Sequence, residues 1–194
     1  MTQLRDLIDR FNNQLERARG EGLFEPTAFS LATVAPDGRP AARMMLLKEA
    51  DDRGFVFYTN LESRKGQELT GSPRAAMCFW WGPLAEQVRI EGRVERLSDA
   101  EADAYFASRP RGSQIGAWAS IQSAVLASRE ALLAAVAKIE ARYEGSEVPR
   151  PPHWSGYRTI PDRIEFWYGR ESRLHERFDY RLEKGGWTER ILSP

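Results

Sequence analysis

The sequence predicts a mainly β fold, a Greek-key β-barrel with flanking helices, and two observations carry that expectation. Short apolar strands follow one another through tight turns built on Asp and Gly, a connection that antiparallel pairing allows and parallel pairing does not. A helical stretch between residues 98 and 143 then interrupts the strands, which resume and run to the C-terminus. A doubly wound parallel sheet is disfavoured, because its strands would need crossover helices between them.

The elements follow in order. Leu4, Leu7, Ile8, Phe11 and Leu15 fall at helical spacing over residues 3–19, with Gly20 and Gly22 as stop signals, so residues 1–22 form an amphipathic N-terminal helix. Phe29 to Val34 reads as a strand, Pro36-Asp37-Gly38-Arg39 as a turn and Ala41 to Lys48 as a second strand. Asp51-Asp52-Arg53-Gly54 is another turn, before strands at Phe55 to Thr59, Arg74 to Trp81 and Gln87 to Leu97. Ser98-Asp99-Ala100-Glu101 has the capping-box pattern and opens a helix ending near Arg109-Pro110. A second helix, rich in Ala and Leu, runs from Ser128 to about Tyr143, and Val148 to Pro152 crosses without helix. Strands return at Arg163 to Tyr168, Arg173 to Leu182 and Trp187 to Leu192, the last two joined by Lys184-Gly185-Gly186. There is no internal repeat or linker, so residues 1–194 read as one domain: N-terminal helix, barrel, helical insertion (98–143) and C-terminal strands (163–194).

Composition narrows the function. Lys and Arg number 28 and Asp and Glu also 28, without the basic excess of a nucleic-acid-binding domain. The one cysteine, Cys78, sits in an apolar run and reads as a core thiol of a reducing compartment. The longest apolar stretch, Ala131 to Ala137, is far too short to span a membrane, and the first residues have no apolar signal region, so the expected location is cytoplasmic. His153 and His175 lie far apart without a cysteine partner, which disfavours a metal site. No Walker loop, dinucleotide fingerprint or serine nucleophile elbow appears, so the chemistry is expected from an organic cofactor.

Four basic constellations stand out. Arg43 to Lys48 is an apolar strand with a cation at each end, which alternation would send to opposite faces. Ser63-Arg64-Lys65-Gly66 reads as a short helix capped by Ser63, and two cations in a first turn oppose the helix dipole unless an anion binds there. Read locally, an exposed basic turn fits as well. Tyr105 with Arg109-Pro110-Arg111-Gly112-Ser113 offers a second phosphate seat. In Arg173-Leu174-His175-Glu176-Arg177, a strand would place Arg173, His175 and Arg177 on one face, over an anionic or electron-rich ligand or at a solvated edge. Trp167 could flank a planar ring. Two anion seats suit a phosphorylated cofactor and a phosphorylated substrate bound together.

From about Glu25 to the C-terminus these segments resemble the pyridoxamine 5'-phosphate oxidase family. The resemblance rests on Arg43 to Lys48, Phe57-Tyr58-Thr59-Asn60, Ser63 to Gly66, Gln87-Val88, Tyr105-Phe106 with Ser108-Arg109-Pro110, and Ser113 to Trp118. It continues through Ser120 to Ser123, Pro152 to Arg158, Ile164 to Trp167 and Arg173 to His175 with Arg177. It implies a split β-barrel homodimer with FMN between the subunits. The implied FMN contacts are Arg43, Met44, Met45, Leu46, Leu47, Lys48, Tyr58, Thr59, Arg64, Lys65, Gln87, Gln122, Ser123, Trp167 and Arg177. Lys48, Tyr105, Arg109 and Ser113 would hold the substrate phosphate, and Arg173, Leu174 and His175 the pyridine ring, with Arg173 and His175 as catalytic residues. The implied reaction moves a hydride from the substrate C4' carbon to the flavin, which dioxygen reoxidises with release of hydrogen peroxide.

Some features depart from the family pattern. The chain begins almost at its first helix, where many members carry a basic extension over the substrate. Ile191-Leu192-Ser193-Pro194 stands for a closing Arg-Leu-x-Pro, and Trp154-Ser155-Gly156 for a more usual Trp-Gly-Gly. A split-barrel flavin reductase and a non-enzymatic carrier of FMN or pyridoxal 5'-phosphate are the rival readings.

Overall fold

The computed structural model describes residues 3–194. The N-terminal periodicity becomes helix α1 (Leu4–Gly20), opened by a reciprocal capping box between Gln3 and Asp6. Its buried stripe of Leu7, Ile8, Phe11, Leu15 and Ala18 closes one side of the barrel. Phe11 meets Phe55 and Phe79 edge-on, with ring centroids 5.1 and 5.0 Å away, a geometry that adds to the burial of the rings.

Among the described residues nine strands form one curled antiparallel sheet: β1 (Ala28–Val34), β2 (Pro40–Leu46), β3 (Glu49–Asp51), β4 (Gly54–Asn60), β5 (Arg74–Trp81), β6 (Glu86–Arg96), β7 (Trp154–Tyr168), β8 (Glu176–Glu183) and β9 (Gly186–Ile191). Their order is β2-β1-β5-β6-β7-β4-β3, with β8 added to β7 and β9 to β8. Phe29, Leu31, Phe57, Met77, Phe79, Val88, Ile90, Ile164 and Phe166 point inward and are buried, as strand alternation requires.

The fifteen-residue β7 organises the sheet. On one edge its first half pairs with β4 (Asn60 opposite Trp154) and its second half with β8 (Trp167 opposite Arg177). On the other edge β6 follows it from Tyr157 to Tyr168, apart from a bulge at Glu91/Gly92, close to Pro161. Pro161 donates no ladder bond, and a Cβ on Gly92 would lie 2.1 Å from the Ile160 carbonyl oxygen. Bulge, proline and glycine therefore belong together.

Helix α1 is also pinned electrostatically. The Arg10 guanidinium lies 4.3 Å from the Phe166 ring centroid and 5.0 Å from that of Phe178, and donates to the Tyr168 and Tyr180 hydroxyls at 2.9 and 2.8 Å. Replacing Arg10 with Met keeps the stem but loses these bonds. The expected loss is about 2 kcal/mol, read as a fall of roughly 4–8 °C in Tm. An unchanged melting curve would assign the docking of α1 to its apolar stripe alone.

Several expectations change. The strand read as Ala41 to Lys48 stops at Leu46. The ladder to β1 ends there, Leu47 donates to the Thr27 carbonyl and Lys48 to that of Val56, so the chain passes from pairing with β1 to pairing with β4. The argument that Arg43 and Lys48 lie on opposite faces of one strand therefore fails. The strand read from Arg163 already begins at Trp154. The one read from Arg173 begins at Glu176, because Glu171–Arg173 form a 3-10 turn in which Ser172 and Arg173 take φ of 55° and 62°. Arg173, His175 and Arg177 thus do not share one strand face.

The insertion holds three helices rather than two: α3 (Asp99–Ser108), α4 (Arg111–Ala119) and α5 (Arg129–Arg142). The remaining helix, α2 (Arg64–Gly71), follows β4. Phe106, Ile115, Val148 and Trp154 make a second small core that seats the insertion on the start of β7. Among the described residues no helix is long and apolar enough to cross a membrane.

Candidate active site

Ser63 caps α2 as its sequence predicts, accepting from the Gly66 N–H. The helix sits tight against the preceding turn: a Cβ on Gly66 would lie 2.0 Å from the Leu61 carbonyl oxygen, so only glycine fits. The first turn then presents two different cations. Lys65 is buried, and its ammonium donates to Gln122 Oε1 at 2.9 Å, Thr59 Oγ1 at 3.1 Å and Ser63 Oγ at 3.3 Å, all neutral acceptors. Burial, and then the nearby Arg43 charge, pull its pKa down to about 8 against a smaller opposing pull from Glu68. Arg64 lies at the surface, and its backbone N–H donates to Ser123 Oγ at 3.2 Å. Ser123 holds this position with φ of 72°, in the left-handed region.

These groups line a cavity of about 500 Å³ walled by Arg43, Met44, Met45, Arg64, Lys65, Gln122 and Ser123. A buried ammonium met only by neutral oxygens fits an anion such as a flavin phosphate.

A second cavity, of about 510 Å³, shares Met44, Met45 and Gln122 with the first. Lys48, Tyr58, Thr59, Tyr105, Arg109 and Ser113 line it together with Asn60 and Trp154. Tyr58 stacks on Tyr105 with centroids 3.9 Å apart and on Trp154 at 5.2 Å. Burial first, then nearby carboxylate charge, pushes the Tyr58 hydroxyl up to about 12, so it stays protonated. Arg109 lies 4.8 Å over the Trp154 ring. Among the described residues its buried Nη1 has no hydrogen-bond partner, and burial lowers its pKa. An unpartnered buried guanidinium nitrogen in an aromatic cavity fits a second phosphate. Arg111 does not join it. As part of α4 it turns away and donates to the Tyr143 and Ser146 carbonyls.

Gln87, Trp167 and Arg177 form a row across β6, β7 and β8, opposite one another in register. Trp80, opposite Gln87 on β5, extends the row, 5.9 Å from Trp167. His175 packs 4.5 Å from Trp167, and its Nδ1 accepts from the Arg170 N–H at 3.1 Å. In the neutral ring that bond places the proton on Nε2. Arg177 Nε donates to the buried Glu165 at 2.8 Å, while Arg173 and Leu174 are exposed.

Neither cavity is lined by any residue of this second cluster. Trp154 stands at the start of β7 and Trp167 near its end, on the order of 40 Å apart along a strand rising about 3.3 Å per residue. One chain therefore brings together Arg43, Met44, Met45, Leu46, Lys48, Tyr58, Thr59, Arg64, Lys65, Gln122, Ser123, Tyr105, Arg109 and Ser113, whereas the Leu47 side chain packs into the barrel core and lines neither cavity. The chain leaves Gln87, Trp167, Arg173, Leu174, His175 and Arg177 elsewhere. Asn60 and Trp154 are cavity residues that the sequence reading named within matching motifs without giving them a role in the site. The structural signal for Trp154 is the column it completes with Tyr58 and Tyr105, drawn from three distant segments.

A curled antiparallel barrel with a basic cavity beside a capped helix, next to an aromatic cavity holding a spare guanidinium, defines a split-barrel flavoprotein. A family model described as pyridoxamine 5'-phosphate oxidase matches residues 15–143, and one described as the pyridoxine 5'-phosphate oxidase C-terminal dimerisation region matches residues 154–194. The chain belongs to the pyridoxamine 5'-phosphate oxidase family. It is 61% identical to a pyridoxine/pyridoxamine 5'-phosphate oxidase of Myxococcus xanthus, over 97% of this chain and 92% of the relative. With the protein of that name from Rubrobacter xylanophilus it shares 56% identity, over 97% and 87%. The crystal structure of PhzG from Burkholderia lata, in complex with tetrahydrophenazine-1-carboxylic acid, superposes with a TM-score of 0.91 at 35% identity, covering 100% of this chain and 94% of that one.

Proposed function

We propose that this protein oxidises pyridoxamine 5'-phosphate and pyridoxine 5'-phosphate to pyridoxal 5'-phosphate, with FMN as cofactor and dioxygen as acceptor. The observation that carries the reading is the pair of adjoining cavities, each with its own cation: Lys65, met by neutral oxygens, in one, and Arg109, with its unpartnered Nη1, in the other. Relatives at 56–61% identity bearing the oxidase name support it. The likeness to PhzG, at 35%, is the more distant one.

In this reading Arg64 and Lys65, with Gln122 and Ser123, grip the flavin phosphate, while the segment from Arg43 to Lys48 and Tyr58-Thr59 lie along the cofactor. Lys48, Tyr105, Arg109 and Ser113 hold the substrate phosphate. A second copy of the chain supplies Gln87, Trp167 and Arg177 to the flavin, and Arg173, Leu174 and His175 to the pyridine ring. The match to a dimerisation region over residues 154–194 supports this pairing, since that region holds all of these except Gln87. His175, with its proton on Nε2, can donate to the substrate and fix the ring, and Arg173 adds positive charge beside it. Anchoring the phosphate at one end sets the reacting carbon against the flavin by proximity rather than by acid strength. Bound FMN would accept the electron pair and, through dioxygen, release it as hydrogen peroxide. The amine substrate also takes up one water and loses ammonia; the alcohol needs no water.

Anaerobic titration of the FMN-loaded protein with each vitamer tests this directly. The flavin absorbance is expected to bleach, and admitting air to restore it with one peroxide formed per pyridoxal 5'-phosphate. Flavin that binds but is bleached by neither vitamer would overturn the oxidase reading and favour a carrier.

A further inference from the structure

Behind the basic cavity lies a carboxylate with no part in the roles assigned so far. Glu68, one turn after Arg64 on α2, is 3% exposed. Its Oε1 accepts from Arg64 Nε at 2.8 Å, and its Oε2 accepts from Arg43 Nη2 at 2.9 Å and Thr33 Oγ1 at 2.5 Å. These donors, with the Arg43 charge, outweigh burial and hold the carboxyl below its usual range, so it is ionised. Burying a carboxylate is costly unless such partners surround it.

The pattern of donors is informative. Arg43 is largely committed: Nη1 donates to the Leu31 carbonyl and Thr33 Oγ1 and Nη2 to Glu68, which leaves its Nε and one Nη2 hydrogen. It buttresses the carboxylate and has little left for a ligand. Arg64 is engaged only through Nε, which fixes the guanidinium plane and leaves both terminal nitrogens for the cavity that Arg64 lines. A planar fork held by its inner nitrogen is pre-organised for bidentate contact with phosphate oxygens.

We propose that Glu68 is a positioning residue for the flavin-phosphate seat, aiming Arg64 through its Nε while Arg43 and Thr33 hold the carboxylate in place. The inference rests on the FMN reading given above. Charge and position predict opposite signs here. Glu68→Gln removes a negative charge close to a bound phosphate dianion, so charge alone would tighten FMN, whereas loss of aim weakens it.

The test uses the whole chain stripped of flavin and titrated with FMN and with riboflavin, which lacks the phosphate, following flavin fluorescence. Glu68→Gln is expected to weaken FMN at least tenfold and to leave riboflavin within twofold. In an Arg64→Ala background the same change should cost FMN less than threefold, because the group it aims is gone. Glu68→Asp keeps the charge but shortens the reach, and should also weaken FMN selectively. If Glu68→Gln fails to bind riboflavin, Glu68→Asp is judged by the same ratio of affinities. An unchanged or tightened FMN affinity relative to riboflavin overturns the proposal. So does loss of riboflavin binding in both variants, which makes Glu68 a folding residue. Unsubstituted protein that binds neither flavin would instead defeat the FMN reading.

Discussion

Replacing Arg109 with Met is expected to lower kcat/KM for pyridoxamine 5'-phosphate at least a hundredfold, mainly through KM, with FMN content unchanged. Arg109 is half-buried over Trp154, with Nη1 lacking any partner. A phosphate dianion could take two charge-assisted hydrogen bonds from it, each contributing about 1.5–3 kcal/mol. Together these correspond to roughly two to four powers of ten in affinity. Methionine keeps an apolar stem against Trp154, so the aromatic column should stand. The informative control is pyridoxamine without its phosphate, which should be a poor substrate for the unsubstituted enzyme and no worse for the variant. If both enzymes handle the phosphorylated substrate alike, Arg109 does not grip it.

The second large effect concerns Lys65 and pH. Between pH 7 and 10 the affinity for FMN should fall with a limiting slope of one decade per pH unit, beginning near pH 8. Lys65 titrates at about 8 in the flavin-free protein because burial, and then Arg43, disfavour its charge. Above that pH the seat must regain a proton before it can meet the phosphate, which is already a dianion, its second pKa being about 6. The stability of the flavin-free protein should move the other way. From about pH 8 to the ordinary lysine value of 10.5, the unfolded chain holds a proton that the folded chain has lost, so this group's contribution to stability rises with pH. Lys65→Met should flatten both trends and weaken FMN about a hundredfold at pH 7, the loss of one charge-assisted contact of roughly 2–3 kcal/mol. Cofactor titrations and melting curves across this range read the two effects separately. A variant that keeps the pH slope would move the titration to another group.

Much of this site could be read from local signals. The seat at Ser63 to Gly66 follows from one capping rule and one conflict with the helix dipole, both confined to four residues, and the helix begins where they place it. Other parts had no local signal. Helix α4 starts without a side-chain cap and carries Gly112 and Gly116, so propensity and capping both failed to announce it. The first half of β7 is not read as strand from the sequence, and it ends at Pro161, a residue that a strand interior takes only where a bulge such as that in β6 accommodates it. The turn at Ser172-Arg173 uses left-handed backbone without the glycine that normally marks it. Leu46-Leu47-Lys48 reads as an uninterrupted strand because a change of pairing partner leaves no trace in hydrophobicity. The aromatic column and the separation of the two clusters depend on tertiary pairing alone. Local alternation did single out Arg173, His175 and Arg177, but on a strand face that does not form; only the family resemblance added Gln87 and joined these residues to Trp167 in one site.

The reach of β7 has a further consequence for the composite arrangement proposed here. In a symmetric pair, each pocket takes the beginning of this strand from one molecule and its end from the other, so any single defect is present in both pockets. Mixing two defective versions, one damaged at each end, changes the arithmetic. Both defects fall into the same pocket of a hybrid pair and leave its sibling whole, so two molecules that are inert on their own can regain half the output of an intact pair.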